Sequence, residues 1–113
     1  MAKIRTFGEL KKGGTFWVAV AGSITKRRAS RIFDSFTNEG MMYLHVSWRV
    51  GCYLVDKNAT KYEDDKKFIY CYTSKKDAQK KALELLEKQI KEEEDSLKSL
   101  KEKREVLLAT IKL

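Results

Sequence analysis

The chain has 113 residues, no proline, six glycines, 35% charged residues and a formal net charge of +8. That length suits one domain with a core, and 42% hydrophobic residues with 11% aromatics are too apolar for a disordered tail. Without a run of about 18 apolar residues no membrane span is expected, and the opening MAKIRTFGEL lacks the apolar stretch of a secretion signal, so a cytoplasmic protein with two free thiols is expected.

The chain divides into two materials. Every aromatic and every glycine precedes residue 74, and residues 1–73 carry 13 Lys+Arg against 7 Asp+Glu. Residues 74–113 carry 11 against 9 and consist largely of Ala, Leu, Glu, Lys and Gln. The expected domains are therefore a basic, aromatic-rich β-domain over 1–73 and a long helix over 74–113.

In chain order, Thr6-Phe7-Gly8-Glu9 has capping-box spacing for a single helical turn, which Gly13-Gly14 would end. Thr15 to Val20 is rich in strand formers. Ile24 to Phe36 reads as one extended strand, polar at its start and apolar at its end. After the turn Asn38-Glu39-Gly40, Met41 to Trp48 alternates, with Met42, Leu44, Val46 and Trp48 on one face and Met41, Tyr43, His45 and Ser47 on the other. Cys52 to Val55 follows a break at Gly51. Glu63-Asp64-Asp65, bounded by Lys61, Lys66 and Lys67, reads as a solvated turn. Phe68 to Tyr72 is the last strand, apolar on both faces, so one face should close the core and the other lie beneath the helix or against another subunit. Five strands without helical crossovers imply an antiparallel meander.

The helix begins at Ser74, whose spacing to Asp77 makes a second capping box. Its forty residues would extend about 60 Å, more than the β-domain can cover. Leu83, Leu86, Ile90, Leu97, Leu100, Leu107 and Ile111 follow a 3-4 alternation, interrupted at Glu93 and Arg104, and such a seam calls for a partner helix. Ala78, Ala82 and Leu85 widen the stripe near the start, so this end should pack on the β-domain while the distal end pairs between chains. The competing arrangement is a helical hairpin that breaks near Asp95-Ser96.

The opening F-x-x-L-K-K-G-G-T-F-W-V (Phe7 to Val18) resembles the turn and glycine that introduce the first strand of SH3-like small barrels. The resemblance covers about residues 7–72 and implies a small antiparallel SH3-like β-barrel or meander, followed by one long C-terminal coiled-coil helix: an α+β fold. The layout also resembles that of accessory proteins of bacterial phages, which implies a location in the host cytoplasm or a virion and a host or virion protein as partner. That likeness carries no functional residue.

The residues argue against catalysis. His45 is the only histidine, and Cys52 and Cys71 lie in apolar strand patterns where a buried, inert thiol is the ordinary state. Two cysteines and one histidine at these spacings make no zinc set, and no phosphate-binding glycine loop or calcium loop is present, so neither metal nor cofactor is expected. The strongest candidate is Lys26-Arg27-Arg28-Ala29-Ser30-Arg31, where Lys26, Arg27, Arg28 and Arg31 concentrate positive charge suited to phosphates or carboxylates. Trp17, Tyr43 and His45 are expected on non-core strand faces and would add a stacking surface beside that charge. The plainer alternative is a basic cluster that serves solubility and a Trp that packs beneath a helix. The expected function is a non-catalytic, oligomeric, coiled-coil-assembled binding protein acting on another protein, as an inhibitor of a host protein or a virion component. The alternative is a nucleic-acid-binding adaptor that uses the cluster at 26–31.

Overall fold

The computed structural model describes residues 5–111. A 3-10 turn at Phe7–Glu9 precedes seven strands: β1 (Thr15–Val20), β2 (Ser23–Arg28), β3 (Arg31–Asp34), β4 (Met41–Ser47), β5 (Gly51–Asp56), β6 (Lys61–Asp64) and β7 (Ile69–Tyr72). A single helix, α1, then runs over Lys75–Ile111. The strands form two antiparallel sheets, a four-stranded one ordered β2-β1-β7-β6 and a three-stranded one ordered β3-β4-β5.

The two sheets do not close into a barrel, and the expected five-strand meander is replaced by seven strands. The corner at Ala29-Ser30 explains the division. Ala29 exchanges backbone hydrogen bonds with Gly13 and Gly14 beside the first sheet, at 2.7 and 2.9 Å, whereas the Ser30 N–H donates to the His45 carbonyl of the second at 2.7 Å. Adjacent residues are thus bonded to different sheets, and the extended segment from Ile24 to Phe36 breaks into β2 and β3 there.

Between the sheets lies a core of Phe7, Phe16, Ala29, Met42, Leu44, Val55 and Cys71. Phe16 meets the edge of Tyr53 at 5.5 Å between ring centroids, which ties β1 to β5. On its opposite face the four-stranded sheet is covered by the start of α1, where Ala19, Tyr70, Tyr72, Ala78 and Ala82 are buried and Trp17, Ile24 and Leu85 pack around them. Small residues at 78 and 82 let the helix lie close to two tyrosine rings. The apolar pattern on both faces of β7 is therefore satisfied by the core through Cys71 and by the helix through Tyr70 and Tyr72.

Gly22, at φ +82°, turns the β1–β2 hairpin and donates its N–H to the Ala82 carbonyl at 3.1 Å, while Leu86 lies over it. A side chain at this position would be strained and would meet Leu86. The hairpin tip and the widened stripe hold the first three turns of α1, whose element contacts are with β1, β2 and β7. Beyond Leu86 every described helix residue is exposed. The helix is continuous through Asp95-Ser96, so the hairpin alternative does not occur. Its 37 residues extend about 55 Å at ~1.5 Å per residue, and the molecule measures 70 × 35 × 24 Å.

Three further expectations are corrected. The solvated turn at 63–65 is partly strand β6: Tyr62 packs on the core opposite Cys71, and Glu63 accepts a hydrogen bond from the Tyr72 hydroxyl. Trp48 is not on the core face, because a register irregularity between His45 and Ser47 ends β4 and leaves Trp48 84% exposed. Phe68 precedes β7 in a turn with φ 55° and its side chain is exposed.

The buried tyrosines and thiol of β7 predict an alkaline instability. The hydrogen bond to Asp65 (2.8 Å), then burial, pushes the Tyr70 hydroxyl up to about 12, and burial pushes the Cys71 thiol up to about 12. Burial first, and then the bond to Glu63, raises Tyr72 as well. These groups stay protonated in the folded chain after they ionise in the unfolded one, from about pH 9 for the thiol and ~10 for the phenols. Stability is therefore full below that range and falls as pH rises through it towards 12. The urea midpoint is expected to drop between about pH 8 and ~11, and a midpoint that stays level would contradict the assignment.

Candidate functional site

Strand alternation divides the basic cluster. Lys26 pairs in register with Trp17 and Arg28 with Thr15, on the helix side of the four-stranded sheet, whereas Arg27 pairs with the buried Phe16. Arg31 begins β3 on the other sheet, opposite His45. Trp17 is correspondingly not beside Tyr43 and His45. It packs beneath the start of α1, with the ammonium groups of Lys26 and Lys75 over its ring at 5.8 and 5.4 Å from the centroid. Both cations contribute cation–π attraction there, so Trp17 serves the helix–sheet joint.

The segment before β1 restores continuity to the charge. The hydrogen bonds of Gly13 and Gly14 to Ala29 draw Leu10 to Gly14 alongside the end of β2. Gly13 has φ +87°, and a Cβ there would lie 3.3 Å from an Arg28 guanidinium nitrogen. Glycine thus permits both the turn and the approach of Arg28. The result is a cleft of about 520 Å³ lined by Lys12, Lys26, Arg27 and Arg28 with Gly13, Ser30 and Val46. The Arg27 Nε is buried here without a hydrogen-bond partner among the described residues.

Lys12 also borders a second cleft of about 650 Å³, shared with Leu10, Lys11, Arg31, Ile32 and Phe33. Together the two clefts carry Lys11, Lys12, Lys26, Arg27, Arg28 and Arg31, and no carboxylate lines either one. The track reaches the outer face of the three-stranded sheet. Register there places Arg31, His45 and Cys52 in one row and Phe33, Tyr43 and Leu54 in the next. Phe33 and Tyr43 stack at 5.3 Å between centroids with 29° between their planes, and Phe33 is 42% exposed. The helix packs on the other sheet, so this face is left open by α1.

His45 is held from one side. The Ser30 hydroxyl lies 3.0 Å from Nδ1 and 3.1 Å from the carbonyls of His45 and Val46. A carbonyl only accepts, so a hydroxyl that donates to one of them leaves Nδ1 as a donor to Oγ. Cys52 is the cross-strand neighbour of His45 and is exposed, contrary to the expectation of a buried thiol, whereas Cys71 is buried as expected. Among the described residues no three His, Cys, Asp or Glu side chains group closely enough to hold a metal ion.

The sequence marks Lys26, Arg27, Arg28, Arg31, Trp17, Tyr43 and His45 as site candidates; the structure sends Trp17 beneath α1 and adds Lys11, Lys12 and Phe33 to the clefts. Phe33 has a signal that the strand reading passed over: it is two residues from Arg31 and shares its face. Lys11 and Lys12 have none, because only the bonds of Gly13 and Gly14 to Ala29 bring them to the cluster. Comparison with protein-family models, curated proteins and solved structures finds no match to the chain.

Proposed function

We propose that this is a non-catalytic binding protein whose basic track takes the sugar–phosphate backbone of a single-stranded nucleic acid and whose exposed distal helix joins copies of the chain. The observation that carries this reading is the carboxylate-free run of six cations leading to the stacked Phe33–Tyr43 pair. Cations that follow a backbone beside a platform for bases are the two parts that sequence-tolerant single-strand binding needs. Pairing of copies would double the track and raise a weak affinity by avidity.

The test is fluorescence anisotropy with labelled single- and double-stranded oligonucleotides. Phe33→Ala is expected to weaken single-strand binding about tenfold, the worth of one lost stacking contact, and to leave duplex binding nearly unchanged. Equal effects on both would remove Phe33 from a base-stacking role.

A second reading keeps the same surface and changes its occupant. The cations of the track also suit an acidic protein surface, as in an accessory protein of the phage type that inhibits a host protein or takes a place in a virion. It predicts a stoichiometric complex with one protein and no oligonucleotide binding at low salt.

A further inference from the structure

The exposed part of α1 carries information about its own partner. Along Leu86, Ile90, Glu93, Leu97, Leu100, Arg104, Leu107 and Ile111 the seam advances by alternating steps of four and three residues, and the series reads the same in both directions. An antiparallel copy can therefore be laid along it with every layer in register. The alignment that sets Leu97 against the partner's Leu100 also sets Ile90 against the partner's Leu107 and Leu86 against the partner's Ile111. The same alignment places Glu93 against the partner's Arg104.

We propose that the distal helix pairs with a second copy of this chain in an antiparallel coiled coil centred between Leu97 and Leu100, with reciprocal Glu93–Arg104 pairs in its seam. This rests on the assembly role proposed for the helix and is independent of what the basic track binds.

Three observations point to this occupant. The first is the exposure of the seam: Leu97 is 52% exposed, Leu100 60% and Leu107 61%, and the β-domain covers none of them. The second is charge. In a parallel pair Glu93 would face another Glu93 and Arg104 another Arg104, so each polar layer would bring like charges together in an apolar seam. Reversing one chain turns both layers into ion pairs. It also sets Glu92-Glu93-Glu94-Asp95 level with the partner's Glu102-Lys103-Arg104-Glu105, whose two cations are the inner pair, and brings Glu94 near the partner's Lys101 on the seam flank. The third is the layer at the end of the seam nearest the β-domain. There the partner's Ile111 falls at Leu86, which borders an open cleft of about 280 Å³ together with Gly22, Ile24, Ala82 and Leu83. The two β-domains would then stand at opposite ends of the shared rod.

The test uses the full chain with Cys52→Ser, in which only the buried Cys71 remains, and a spin label at Ala109→Cys, a position off the seam. In the proposed alignment Ala109 lies level with the partner's Lys88, so the two labels are separated by about 32 Å along the axis at ~1.5 Å per residue. A parallel pair brings them side by side. In parallel, Glu93→Arg and Arg104→Glu are each expected to weaken the dimer at least about tenfold, and the double variant to restore it. A dimer with the long distance and rescue by the double exchange is the expected result. A short distance, or a double variant no tighter than the singles, overturns the antiparallel alignment and leaves assembly through the helix standing. A monomer at high protein concentration overturns both, and neither result bears on nucleic-acid binding.

Discussion

Replacing Arg27, Arg28 and Arg31 together by Glu is expected to weaken single-strand binding by about a hundredfold or more at low salt. Each reversal removes a cation from the track and puts an anion where a phosphate would lie, so the local charge changes by about six units. The track is the one region where these residues act together, since strand alternation and the sheet corner send them to different faces. Arg27 is half-buried with its Nε out of solvent, so its reversal carries a folding cost. A companion variant, Lys12→Glu with Arg28→Glu and Arg31→Glu, leaves Arg27 intact and touches only exposed side chains. Both variants should lose binding, and circular dichroism of the companion should match the parent. Retained affinity in the companion, with its fold intact, would remove the track from the account.

Phe16→Ala is expected to cost about 3–5 kcal/mol of stability, read as a lower urea midpoint at unchanged slope. Phe16 is fully buried, stands opposite Arg27 on β1 and makes the edge contact with Tyr53 of the other sheet. Among the described residues no strand ladder joins the two sheets, so side chains of this kind carry that function. Against a typical total of about 5–15 kcal/mol the loss is a large fraction, and the distal helix, exposed throughout its described residues beyond Leu86, cannot compensate. A cost under about 1 kcal/mol would mean that the sheets are held together elsewhere.

Much of the fold is legible in the chain because period and composition report local geometry. The helix, its widened start at Ala78, Ala82 and Leu85, and the faces of β4 as far as Val46 follow from spacing alone. The two-sheet division is not legible, because it depends on where Ala29 and Ser30 send their hydrogen bonds, and an extended segment reads the same whether it stays in one sheet or crosses to another. Strand β6 is hidden for a related reason: Glu63 and Asp64 have the composition of a turn, and only the partners Tyr72 and Lys81 give Glu63 a structural role. The site is legible in part. A run of four cations in six residues is visible in sequence, yet its alternation splits it among three surfaces, and the lysines that rejoin two of them come from a loop fourteen or more residues away. Trp17 illustrates the opposite error, since an aromatic on a non-core strand face proved to be helix-facing, with two lysines over its ring.

The most direct test of the central claim is the salt dependence of binding to a labelled single-stranded oligonucleotide. With three to six cations engaging phosphates, each contributing about 0.7, the plot of log affinity against log salt should fall with a slope of about −2 to −4. The companion variant, which reverses three cations, should flatten it by about 2. A slope near zero, or no binding even at low salt, would contradict the nucleic-acid reading and assign the basic track to an acidic protein surface.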